Sequence, residues 1–405
     1  MDLAALPAPT LVADRDGLER LLDRLDAATE VAVDTEADSF FSYRDKVCLV
    51  QVSALGQDYL VDPLCGLDLA PLGRLFADPA RTKIFHDAEY DILILKRDYG
   101  FQFRNLFDTR VAAAVLGSQA PGLASVLDER FGVTLDKSMQ RSNWAQRPLS
   151  DKQVAYARLD TRFLVELMHS QREELAARGR ARIVDAECRR LEGLAAVAHA
   201  FDPDDYVRLK GARELDPRQR RALRELFVER ERAAHAADVP PFRILSNDAL
   251  LELARLRPSN EKGLLRVPGI TSKVVARIGE RLLETLDRAE GERPIERLPQ
   301  PPRRNNSGPD LDELQVELYE RLKRVRREVS DDLSIEASYL MTRALMTTIA
   351  QQRPTTLDAL EALGGVEDWQ LELLGKPVVA AVRAFEADVA AGRVPAKRPR
   401  RRPRG

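Results

Sequence analysis

Cysteine is scarce in this chain: 405 residues include three, Cys48, Cys65 and Cys188. A scattered, odd set without metal-ligand spacing excludes a disulfide scaffold and fits a reducing compartment. Long apolar runs are also missing. None approaches the ~20 residues of a membrane helix, and Met1-Asp-Leu-Ala-Ala carries an acid where a signal peptide carries positive charge. The expected location is the cytoplasm, with no membrane partner. Neither sign of charge dominates, with 63 basic and 65 acidic residues, so the bulk balance says nothing about partners. A Gly-x-x-x-x-Gly-Lys-Ser/Thr loop is absent as well, which argues against a helicase or other P-loop enzyme.

What the chain does have is apolar material for real cores, 44% hydrophobic residues beside 32% charged, and length for about three domains. From Thr10 to about Ala200 strands and helices alternate. Glu30–Asp34, Val47–Val52, Asp58–Asp62 and Lys83–Phe85 are short and rich in β-branched or aromatic residues. Helical stretches are expected at roughly 16–28, 87–99, 108–116, 122–130 and 151–175. This predicts an α/β domain with a mixed sheet flanked by helices. Beyond residue 205 the pattern is helical and occurs twice, from Leu215 and again from Leu311. Each copy has a long amphipathic helix, a short helix, and an apolar-Gly turn before a final helix. Copies about 95 residues apart make a duplication, since solenoid periods are shorter. The expected division is 1–205, 206–292, a Pro/Arg-rich linker at 293–309, 310–392, and a basic tail at 393–405. Arg303 and Arg304 in the linker read best as part of a solvated tether.

Three fragments carry chemistry. In Val31-Ala-Val-Asp34-Thr-Glu36 the two acids stand at i and i+2 of a strand, so they project from one face. Alone, such a pair is more often a loop entry or cap than a site for a divalent cation with hard oxygen ligands. In Phe85-His86-Asp87-Ala-Glu89-Tyr-Asp91 a strand ends, Asp87 is placed as an N-cap, and Asp91 falls in the first helical turn. The helix dipole alone would favour an acid there. In Tyr156-Ala-Arg-Leu-Asp160 the Tyr and Asp share a helix face, a spacing usual for a core tyrosine with its hydroxyl at the surface.

Taken in order, Asp-Thr-Glu in a strand, His-x-Ala-x-x-Asp opening a helix and Tyr-x-x-x-Asp on a later helix resemble the DEDDy exonuclease motifs. Cys48-Leu-Val-Gln51, Phe107-Asp-Thr109 and Ser142-Asn-Trp144-Ala-Gln-Arg147-Pro-Leu149 are similar to the ribonuclease D family in particular, and the helical copies resemble HRDC domains. The sequence after Glu36 lacks the Phe common in that family and looks more like the Werner and exosome-associated exonucleases. Arg158-Leu159 and Thr161 stand where small residues and Val are usual.

The resemblance implies a ribonuclease H-like exonuclease domain followed by two all-α HRDC-like domains. It implies a 3′-5′ exoribonuclease using two divalent cations, Mg²⁺ or Mn²⁺, on RNA 3′ ends, with tRNA precursors as the substrate class. Single-stranded DNA is the alternative substrate, and a non-catalytic adaptor the alternative class. The implied catalytic set is Asp34, Glu36, Asp91, Tyr156 and Asp160, the four acids being the metal ligands. Candidate substrate contacts are Thr35, His86, Arg147 and the tail residues Lys397, Arg398 and Arg400. His86 reads equally well as a satisfied strand-end histidine, and Arg147 as half of a structural ion pair. Trp144 is expected to pack. Of the helical copies, the first is the better RNA surface, because the second opens on an acidic stretch; either could simply dock on the exonuclease domain.

Overall fold

A computed structural model describes residues 6–196, 201–299 and 311–394. Six strands form one mixed sheet: β1 (Thr10–Val12), β2 (Glu30–Ala37), β3 (Val47–Ala54), β4 (Gln57–Val61), β5 (Thr82–Phe85) and β6 (Leu106–Asp108), in the order β1-β4-β3-β2-β5-β6. β2, β3 and β4 form an antiparallel meander, and the other pairings are parallel. β3, Val-Cys-Leu-Val-Gln-Val-Ser-Ala, is buried along its whole length, the signature of a strand covered on both faces. The helix Asp151–Arg162 packs over β2, β3 and β4. The helix Glu89–Tyr99 lies on the opposite face, where its Asp91 bonds Thr35, whose side chain points away from that of Asp34.

Four local expectations need correction. The sheet gains β1 and β6, each three residues long and too short for an alternation pattern. The stretch expected as one helix at 151–175 is two, Asp151–Arg162 and Leu164–Ala177, separated by Phe163 at φ −105°, ψ 2°. A strongly amphipathic helix, Ala181–Glu192, follows. Asp87 does not cap the helix after it; it sits at φ 69° with an exposed side chain. Asp108 does that work from β6, its carboxylate accepting from the amides of Asp87 (3.1 Å) and Ala88 (2.8 Å) as well as from Arg110 (2.8 Å) and Val111 (3.2 Å) of its own helix, Thr109–Val115.

The two helical units repeat position by position. Asp216 and Asp312 begin the long helices Pro217–Ala236 and Glu313–Leu333, each in a reciprocal box with a Gln three residues on. Ser246 and Thr342 cap the next helices, Arg257 and Arg353 end them in the left-handed region, and Asn260 and Thr356 start the short turns that follow. Every pair is offset by 96 residues. The copies differ in packing. The first has a core of its own around Leu223, Leu226, Leu250 and Leu282. The second, around Leu318, Leu322, Met346 and Val382, is continuous with the core of the sheet domain. Arg180 donates to the Leu333 carbonyl at 2.8 Å, and Arg182 and Arg189 pair with Glu372 and Glu367.

Candidate active site

β2 runs out of the core at Ala37, and its last face-sharing acids, Asp34 and Glu36, meet Asp160 from the helix Asp151–Arg162. One carboxylate oxygen from each of the three lies within 4.8 Å of the others. The strand ends on a bulge, where the register passes from Glu36↔Leu49 to Ala37↔Val47 and skips Cys48; such irregularities re-aim side chains at a sheet's rim. Asp91 reaches the same cleft from the helix Glu89–Tyr99, accepting from the Thr35 amide (3.1 Å) and hydroxyl (2.5 Å). The cleft holds about 330 Å³ and is lined by Asp34, Thr35, Glu36, His86, Asp91, Tyr156 and Asp160, together with Tyr90, Arg110, Lys137 and Gln140.

The electrostatics are those of crowded carboxyl groups with no ion-pair partner among the described residues; Arg110, on the cleft wall, pairs with Asp87 instead. Burial and the charge of Asp160 push the Asp34 carboxyl far up. Burial, then Asp34, Asp160 and Asp91, push Glu36 to about 10. Burial raises Asp160 to about 8 against the opposing bond from the Tyr156 hydroxyl, and burial with Asp34 raises Asp91. Removing charges from water without a partner costs several kcal/mol each, so an all-oxygen set of this kind fits a hard divalent cation. Gln51 is a second sign: it stands directly across from Asp34 on β3, fully buried, and neither end of its amide finds a hydrogen-bond partner among the described residues.

The helix carrying Tyr156 and Asp160 is held firmly. Ser150 and Gln153 close a capping box at its start. Two of the departures from the family pattern tie it down: Arg158 donates to Asp58 (3.0 Å) and the Pro7 carbonyl (2.6 Å), and the Thr161 hydroxyl meets Ser53 at 2.7 Å. The fully buried Trp144 packs 5.9 Å from the Tyr156 ring.

The other candidates divide. His86 lines the cleft with Nδ1 2.9 Å from the Thr109 hydroxyl, and burial pushes it down to about 4, which keeps it neutral. Thr35 spends its hydroxyl on Asp91. The structure does not bring Arg147 to the cleft: its guanidinium bonds both oxygens of Asp62 (2.5 and 2.7 Å) and the carbonyls of Cys48, Trp144 and Gln146. Lys397, Arg398 and Arg400 lie outside the described residues. Arg110, Lys137 and Gln140 were missed by the sequence reading; their one signal is polar side chains in the segments beside the second and third motifs.

Residues 9–176 match the family model for a 3′-5′ exonuclease, and residues 219–286 and 315–382 each match the HRDC domain. The ribonuclease D of Acidiphilium cryptum is 36% identical over 285 residues, covering 70% of this chain and 72% of that protein. Escherichia coli RNase D, described as an exoribonuclease involved in structured RNA processing, superposes with a TM-score of 0.65 at 26% identity, covering 94% of this chain and all of that one. The catalytic core of RRP6 from Trypanosoma brucei gives 0.64 at 31% identity, over 72% and 82% of the two chains.

Proposed function

Because this chain belongs to the ribonuclease D family and is a 3′-5′ exoribonuclease that uses divalent metal, we propose that Asp34, Glu36, Asp91 and Asp160 hold two such ions, Mg²⁺ or Mn²⁺, and that Tyr156 completes the catalytic set. The observation that carries this reading is the convergence of Asp34, Glu36 and Asp160 in one cleft, none of them ion-paired among the described residues. When bound, such an ion pair activates water and stabilises the leaving oxygen of an in-line displacement. The protein's own part is placement. Asp34, between the other acids, would be shared by the bound ions; Glu36 and Asp160 would hold metal on the side where water attacks, and Asp91, braced by Thr35, on the side of the leaving oxygen. The Tyr156 hydroxyl, beside Asp160, orients the attacking water. His86, neutral and on the cleft wall, contacts the terminal nucleotide.

The substrate is RNA with a free 3′ end. Within that class we assign structured RNAs with a single-stranded tail, tRNA precursors among them, in keeping with the structured RNA processing of the Escherichia coli relative and with a cytoplasmic location. No described helix is long and apolar enough to cross a membrane. The test is end-labelled RNA, and matched DNA, incubated with Mg²⁺, Mn²⁺ or chelator. Stepwise shortening from the 3′ end of RNA, abolished by chelator, is the expected result. Equal or faster digestion of DNA would overturn the substrate assignment, and activity in chelator would overturn the metal site.

A further inference from the structure

The loop that leaves the catalytic strand is built to reach outward. Asp38, fully buried, accepts from the Ser42 hydroxyl (2.5 Å) and from the amide and ammonium of Lys46 (2.9 and 2.7 Å), pinning the loop at both ends. Between them Phe40, Phe41 and Tyr43 extend to the first HRDC unit. The Tyr43 hydroxyl bonds Glu231, its ring meets His235 edge-on at 5.0 Å, and the Arg243 guanidinium lies 4.3 Å from the Phe41 ring centre. Those contacts account for the docking of Phe41 and Tyr43. They do not account for Phe40 and Phe242, which meet edge-on at 6.3 Å across the same junction yet stay 42% and 53% exposed. Rings at the core of a junction are buried; these two are left open to a further partner.

Charge and position say what covers them. Arg141 lies 5.7 Å from the Phe40 ring centre and follows Gln140, which lines the carboxylate cleft. Neither Arg141 nor Arg243 has an ion-pair partner among the described residues. Phe40 itself is four positions beyond Glu36. Exposed rings with guanidinium groups nearby, next to a cleft for a 3′ end, are the parts with which proteins hold a single strand: bases stack on rings while phosphates meet cations. The geometry points to a stacking platform shared by two domains. Phe40 of the exonuclease domain and Phe242 of the first HRDC unit receive bases of single-stranded RNA upstream of the nucleotide in the cleft, and Arg141 and Arg243 meet its phosphates. The inference rests on the exonuclease reading and adds a subsite that the cleft residues do not contain.

The test places one 2-aminopurine at successive positions of an RNA of about ten nucleotides and follows its fluorescence on binding the full-length protein in chelator, where no hydrolysis intervenes. Quenching is expected at internal positions. It should be lost in the double variant Phe40→Leu/Phe242→Leu, which keeps apolar bulk at the junction, and restored by Phe40→Trp. Affinity in the double variant should fall about tenfold or more, since each stacked base contributes on the order of five- to a hundredfold. Quenching that survives the Leu pair, or occurs only at the terminal base, overturns the platform; so does full quenching in wild type with no loss of affinity in the variant. Wild-type protein that shortens no RNA when metal is restored, while still quenching internal bases, would instead overturn the exonuclease reading and leave the platform standing.

Discussion

Asp34 concentrates the cost of the site. It stands among Glu36, Asp160 and Asp91, half-buried and of like charge type with all three. Asp34→Asn should lower turnover at least about a thousandfold, as expected when charge stabilisation is removed at the reacting phosphate. In chelator near neutral pH the same variant should melt higher than wild type, because an amide replaces a carboxyl whose ionisation the folded site opposes while the unfolded chain does not. A gain of about 1 kcal/mol would move a domain of this size by roughly 2–4 °C. Calorimetry with and without metal checks both halves, and a variant that melts lower in chelator would make Asp34 a structural acid. At this scale the sequence was a good guide where parity decides the outcome: i and i+2 on a strand put Asp34 and Glu36 on one face. It could not choose for Arg147, whose partner Asp62 lies 85 positions away, a pairing that only the folded sheet creates. Nor could it show that Thr35 serves Asp91 from the opposite face of β2.

The helix Asp151–Arg162 owes its position to the segment before it, and Arg147 is the clamp. Burial works to raise the Asp62 carboxyl, but the hydrogen bonds and charge of Arg147 outweigh it and hold the group below the usual range. With Asp62 at 3% and Arg147 at 25% side-chain exposure, Arg147→Met should cost about 2–3 kcal/mol, between surface and fully buried pairs. A carboxyl whose folded pKa is depressed contributes above its unfolded value of about 3.9 and loses that contribution as pH falls through the folded value. The deficit of the variant should therefore be constant from pH 7 to 5 and shrink below about pH 4 in urea titrations; a deficit equally large at pH 3 would remove the ion pair as its cause. Asp108 is the other joint. One carboxylate satisfies amides at the start of two helices, so Asp108→Ala should cost about 2–4 kcal/mol, more than the ~1 of an ordinary cap, and should weaken metal binding by loosening the turn that carries Asp91. Unaltered metal affinity in a folded Asp108→Ala protein would separate the two helix starts. The expected cap at Asp87 failed for this reason: local spacing marked a capping residue, and a carboxylate 21 positions later took the work. The broken helix at Phe163 and the three-residue β1 and β6 were illegible because tertiary packing, not local pattern, defines them.

Across the whole molecule two copies of one helical unit are used in two ways. The second shares the core of the sheet domain, with Arg180, Arg182 and Arg189 fastening its edge; the first keeps a separate core and meets the rest through the 38–46 loop. Amide hydrogen exchange in mild denaturant should show the core of the first unit, around Leu226 and Leu282, opening as a group at lower free energy, while Leu318, Leu322 and Val382 open only with the β-sheet. Exchange of all three bodies as a single unit would contradict the separate cores. The duplication was legible from repeated turns and helix lengths. The difference in use was not, because both copies carry the same apolar spacing and only their neighbours decide which face is covered. A gripping surface with one wall on a module that opens first has its own thermal limit. On gentle warming the enzyme should let go of its strand after fewer cleavages before the rate of each cleavage declines, so that processivity and catalysis fade at different temperatures.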